Sequence, residues 1–152
     1  MPKTARKSTK NRGTRSVRKP RLSKQSDVPK NTQIVRVLME MLNVVKLYHW
    51  KTHSHPEHLA TDQLYGRLNE NIDKFVETLL GKKGTRIQKW NTQMQIPQYA
   101  TKTPFKDRIY EYREFLIQMN RHLDSKKDSD LLNIRDEILG DINQFLYLMT
   151  LH

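Results

Sequence analysis

The sequence has no cysteine. Disulfide staples, thiolate metal sites and cysteine nucleophiles are therefore excluded, and the absence agrees with a reducing compartment. Glycine is scarce, with 5 residues in 152. No glycine-rich phosphate loop can be traced, and no nucleophile–base pair stands out. Nor does any apolar run approach the roughly 20 residues that span a bilayer. The basic N-terminus lacks the apolar stretch of a secretory signal. The expectation is a soluble chain with no membrane partner, intracellular or packaged inside a particle made in a cell.

Acidic residues are nearly missing from the first thirty positions. Asp27 stands alone there against eleven Lys/Arg, a net charge of +10: Lys3, Arg6, Lys7, Lys10, Arg12, Arg15, Arg18, Lys19, Arg21, Lys24 and Lys30. Residues 31–152 carry 17 Lys/Arg and 15 acids, so they are nearly balanced. A polycation of this kind repels itself and has nothing to bury, so residues 1–30 are expected to be a disordered arm. The first ten of those basic residues suit sequence-independent contact with DNA phosphates. A solvated tail that only aids solubility is the plainer reading, and a nuclear-import signal is another. Thr4-Ala5-Arg6-Lys7-Ser8-Thr9 also resembles a stretch of a core histone tail. That likeness implies a eukaryotic setting, such as a large DNA virus, with Lys7 and Ser8 open to modification.

Beyond residue 30 the apolar residues recur at helical spacing. Ile34, Val37, Met41, Val44 and Tyr48 predict a first helix over about 31–51. Pro56 suits the first turn of a second, with Ser54 or His55 as cap and Glu57 near its positive end. Leu64, Leu68, Ile72, Phe75 and Leu79 form its apolar face, and Gly81 and Gly84 are expected to stop it near Leu80. A connection follows, with a short helix expected around Ile87–Trp90. Phe105, Ile109, Tyr112, Leu116, Met119 and Leu123 predict a third helix over about 105–123. Ile134, Ile138, Ile142, Phe145 and Met149 predict a fourth over about 130–151, capped by Asp128, Ser129 or Asp130. No segment alternates as a strand would. The expected fold is all-α: a four-helix bundle over 31–152 with one long crossover between the second and third helices.

The second helix carries a further, polar stripe. His58, Asp62, Asn69, Asp73 and Glu77 lie within about 100° of one another on a helical projection, roughly opposite the apolar face. A solvated face is the ordinary reading of such a stripe. Asp62 and Asp73 share a face but stand roughly 16 Å apart along the axis, so one metal ion cannot use both from one helix. Two such helices packed antiparallel about a two-fold axis bring Asp62 of one chain toward Asp73 and Glu77 of the other, twice over. His49, on the flank of the first helix, can join His58 and Asp62. Imidazoles and carboxylates without thiolate suit Fe(II), with Zn or Mn possible on the same donors.

The segment from Tyr48 to Glu77 resembles the signature of the Dps family, the mini-ferritins of the ferritin-like superfamily. The family's His-Trp pair is His49-Trp50 here. Its remaining pattern reads His58-x3-Asp62-x10-Asp73-x3-Glu77, with each of those spacings kept. The stretch from Asp141 to Tyr147 also resembles the family's last helix. The two histidines stand nine apart rather than twelve, and the loop lacks the usual Gly and Phe while holding His53 and His55. The resemblance implies a ferritin-like fold and a di-iron ferroxidase centre between two subunits. His49, His58 and Asp62 would come from one chain, Asp73 and Glu77 from its partner. It further implies a hollow dodecamer and oxidation of Fe(II), with peroxide as oxidant, beside bound DNA. The competing expectation is a structural nucleoid or virion DNA-packing protein with a vestigial metal site. Trp50, Trp90 and Tyr99 are expected in packing, and His53, His55, His122 and His152 at the surface.

Overall fold

The computed structural model describes residues 30–87 and 93–151. The ten arm cations named above, and Trp90 and His152, lie outside them. The described residues form four α-helices and no strand: α1 (Lys30–Lys51), α2 (His55–Lys83), α3 (Lys102–Gln118) and α4 (Ser129–Leu148), with a 3₁₀ turn at Met119–Arg121. No helix among them is long and apolar enough to cross a membrane.

The packing order is cyclic. α1 lies against α2 and α3, and α4 lies against the same two. Paired residues give the directions. His49 meets His58 across the α1–α2 hairpin, and Arg67 and Lys74 on α2 reach Asp141 and Glu137 on α4. Tyr48 stacks on Phe105 while Tyr112 reaches back to Glu40, so α3 runs antiparallel to α1. α2 and α3 are therefore parallel, and the chain between them must return along the whole length of α2. Lys51 grips Gln98 at 2.6 Å near the end of that return. The connection between α2 and α3 spans residues 84–101, as long as the sequence led one to expect.

The core is where the apolar periodicity placed it. All five apolar positions anticipated on α2 are buried, as are the six running from Phe105 to Leu123 and the five from Ile134 to Met149, while on α1 Val37 is only partly buried. Phe105 is central. It is fully buried, lies 3.8 Å from the Tyr48 ring in a parallel stack, and meets Phe145 edge-on at 6.0 Å. Rings of this size contribute large buried area, and the edge-on contact with Phe145 has the geometry that aromatic pairs favour.

Four boundaries differ from expectation, and the first is that α3 opens at Lys102 rather than near Phe105. Gly81 does not stop α2, which runs on for two residues; Gly84 does, at φ 61° in the left-handed region that favours glycine. The extra turn is held because the Lys82 ammonium bridges Asp130 at 2.7 Å and Asp128 at 3.3 Å across the α3–α4 turn. The α-helical part of α3 closes at Gln118, and the chain tightens to 3₁₀. There the buried Arg135 donates to Leu116 O and to Asn120 Oδ1, both at 2.7 Å, so its guanidinium serves the carbonyl end of the helix. α4 ends at Leu148, short of the expected 151. Of the short helix expected at Ile87–Trp90, only Ile87 lies within the described residues, and it is not helical.

Candidate metal centre

The α1–α2 hairpin turns through residues 52–54 alone, and its shortness brings two imidazoles together. The His49 and His58 rings stack with centroids 3.9 Å apart. Each ring is tied to the other residue's backbone: His49 Nδ1 lies 3.1 Å from His58 O, and His58 Nδ1 lies 3.1 Å from His49 O. A carbonyl only accepts, so both Nδ1 atoms donate. In a neutral imidazole that leaves the lone pair on Nε2. Fixing the tautomer by a bond from the distal nitrogen is how proteins prepare a histidine to ligate a metal. Thr61 Oγ1, which donates to Glu57 O at 2.7 Å, stands 3.3 Å from His49 Nδ1 and closes the same corner.

His49 Nε2 faces Asp62, with Oδ1 at 3.8 Å. His49 is buried, whereas His58 and Asp62 are exposed. The loop that is three residues shorter than the Dps pattern thus still gathers His49, His58 and Asp62 at one corner. Asp73 and Glu77 are not part of that corner. Both are exposed, further along the same helix, and neither makes a hydrogen bond or ion pair among the described residues. Asp73 borders an open groove lined by Val35, Met39, Leu42, Ile72 and Val76. Within one chain, no group of three or more His, Asp or Glu side chains converges as a cation site among the described residues.

The contacts of several neighbours of the corner escaped the sequence reading. Lys46 Nζ sits 3.9 Å from Asp62 Oδ1 and 4.3 Å from the centre of the Tyr65 ring. Lys46 precedes His49 by three residues, one turn back on the same helix face, and that spacing was the available signal. Glu57, in the first turn of α2 as expected, turns its carboxyl inward. It accepts from Tyr48 Oη and from Thr52 Oγ1, each at 2.7 Å, and has Lys102 Nζ at 3.7 Å. Burial pushes the Glu57 carboxyl up, but the bonds from Thr52 and Tyr48 and the charge of Lys102 outweigh it and hold it below its ordinary value. Burial, reinforced by the bond to Glu57, raises the Tyr48 phenol well above its ordinary range. Trp50 is not in packing: it is 68% exposed, with Lys46 Nζ 5.6 Å from its ring. Tyr99 does pack on the core, tilted against Phe105. His53, His55 and His122 are exposed, as expected.

The sequence profile of the family of unknown function DUF5856 matches residues 49–149. The chain belongs to that family. No curated protein and no solved structure matches it. The family match opens at His49 and takes in His58, Asp62, Asp73 and Glu77, so all five candidate ligands fall inside the shared region. The basic arm falls outside it.

Proposed function

We propose that this protein is a Dps-like mini-ferritin: a ferritin-like four-helix bundle that oxidises and sequesters Fe(II) at sites shared between two subunits, and that holds DNA through its basic arm. One observation carries the reading. His49 and His58 are fixed by reciprocal bonds with both Nε2 atoms free for a cation, and His49 Nε2 faces Asp62. Asp73 and Glu77, on the same face of α2, remain unpaired. The cyclic packing of four helices and the long connection between α2 and α3 support a ferritin-like reading.

The donors fit iron as substrate. Three carboxylates supply hard oxygen ligands and two imidazoles supply borderline nitrogen, a set that also accepts Zn or Mn. In this reading His49, His58 and Asp62 hold iron from one subunit while Asp73 and Glu77 of the partner subunit close the site. The groove beside Asp73, with Val35, Met39 and Val76 in its walls, is the apolar flank that a second copy would cover. A dodecamer is the assembly the resemblance implies. Lys46 next to Asp62 partly neutralises the carboxylate before iron arrives.

The arm supplies the second half of the proposal. Its cations would neutralise phosphates by counterion release, so affinity falls steeply with salt at a log–log slope of roughly −0.9 per phosphate. Several arms on one assembly would bridge duplexes through avidity. Oxidation of Fe(II) would then proceed beside the DNA and consume the oxidant there.

Two assays test the proposal. Full-length protein should accelerate Fe(II) oxidation with peroxide, and a His58→Ala/Asp62→Ala variant should lose most of that rate. Removing residues 1–29 should abolish DNA retardation in gels and leave oxidation unchanged. The competing reading is a structural DNA-packing protein with a vestigial site, and among the described residues no three-donor group converges within one chain. Equal oxidation rates for wild type and the double variant would establish it instead.

A further inference from the structure

The polar face of α2 contains a residue that a lone chain gives no reason for. Gly66 lies mid-helix, where glycine is destabilising relative to alanine. It has no positive φ. A Cβ built on it meets nothing within 4 Å, so no close approach among the described residues requires it. On the helical projection Gly66 falls inside the stripe of candidate ligands, about 40° from Asp62.

With Gly66 included, the stripe reads His58, Asp62, Gly66, Asn69, Asp73 and Glu77. Successive steps are four, four, three, four and four residues. That order is the same read from either end, with its centre between Arg67 and Leu68. An isologous contact between two copies of one helix has this property, because if residue i meets residue j then j meets i. Centred there, an antiparallel α2 pair sets His58 against Glu77, Asp62 against Asp73, and Gly66 against Asn69. Every residue of the stripe finds a partner within it, and His58 and Asp62 meet the two carboxylates that have none in their own chain.

We infer that Gly66 marks the point where α2 crosses α2 of a second copy, with the Asn69 amide of the partner subunit filling the space that its missing side chain leaves. This rests on the shared-site reading and fixes its register. Two of the three carboxylates are aspartates, whose side chains are short, so the helix axes must come close for both chains to reach one ion. A side chain at position 66 would hold them apart at the crossing. Two Gly66–Asn69 contacts form the middle of the interface, and one cation site lies on either side.

The absence of cysteine makes this register directly readable. Chains carrying Gly66→Cys, co-assembled with chains carrying Asn69→Cys, should give a disulfide-linked heterodimer on mild oxidation, since such a bond needs Cα atoms roughly 4.4–6.8 Å apart. Gly66→Cys paired with Glu114→Cys, a position exposed on α3, should not cross-link. In sedimentation with Mn(II) present, Gly66→Trp should weaken the dimer about a hundredfold or more and leave a helical monomer by circular dichroism. Gly66→Ala should melt higher as a monomer yet dimerise less well. Absence of the 66–69 cross-link, or a Gly66→Trp chain that dimerises like wild type, overturns the crossing while wild-type dimers keep the shared site standing. A wild-type chain that stays monomeric with Mn(II) overturns both.

Discussion

The two ends of the polar stripe on α2 are built differently. At the N-terminal end every functional atom is held from within the chain: His49 by His58, His58 by His49, both braced near Thr61, with Lys46 beside Asp62. At the C-terminal end Asp73 and Glu77 stand in solvent and touch nothing polar. Preorganisation is spent where two rings must keep a fixed tautomer and angle. Carboxylates need no tautomer and accept from several directions, so the free half can wait for a partner to position it. On the shared-site proposal, the contrast separates what one chain completes alone from what a pair of chains would complete.

The comparison can be broken most severely at the free end. Asp73→Ala/Glu77→Ala should remove most Fe(II) oxidation in a stopped-flow assay, while the melting temperature stays close to wild type. Exposed substitutions without partners usually fall within about 0.5 kcal/mol of neutral. A variant that loses its helical signal instead would show that these residues serve the fold.

His49→Ala sharpens the contrast from the braced end. It removes the His49 Nδ1 donor from the carbonyl of His58, which keeps Thr61 Oγ1 at 3.0 Å, and it opens a buried corner, which should cost about 0.5–3 kcal/mol in urea unfolding. Activity and stability should fall together here, whereas at Asp73 they separate.

Acid titration probes the same corner more gently. The Glu57 carboxyl is held below its ordinary value by Thr52, Tyr48 and Lys102, against the upward push of burial. A depressed carboxyl contributes stability in full above its unfolded value, about 4.3, and loses it as pH falls through the folded value. The urea midpoint should therefore decline below about pH 4.3. Glu57→Gln should flatten that decline and lower the plateau at neutral pH. An unchanged acid limb in the variant would remove Glu57 from the account.

The smallest effect belongs to Lys46. Its ammonium is partly exposed beside an exposed carboxylate, so the pair is screened and worth under about 1 kcal/mol. Lys46→Met should tighten binding of Co(II), followed by absorbance, by about two- to fivefold. Weaker binding would mean that Lys46 positions Asp62 rather than competing with the cation.

Much of this was legible in the sequence, for definite reasons. Burial follows the 3.6-residue period, so Leu64 through Leu79 and Phe105 through Leu123 declared their inward faces. The polar stripe was legible for the same reason. What the spacing did not carry was anything set by a loop. The stacked His49–His58 pair depends on the path of residues 52–54, and the inward turn of Glu57 depends on Tyr48 and Thr52 arriving from the other side. Gly81 looked like a terminator by residue type alone, but the Lys82 clasp to Asp128 and Asp130 lies 46 and 48 residues away in the chain. Trp50 follows a buried histidine and was expected in packing, yet the hairpin turns it outward.

Mixing the two half-site variants tests the shared centre most directly. One chain carries His58→Ala/Asp62→Ala, the other Asp73→Ala/Glu77→Ala, and each alone should be nearly inactive. Random co-assembly makes half of the dimers mixed, and each mixed dimer regenerates one intact site of its two, so about a quarter of the wild-type oxidation rate should return. A mixture no faster than its parents, with mixed dimers confirmed by mass spectrometry, would contradict a centre built from two chains.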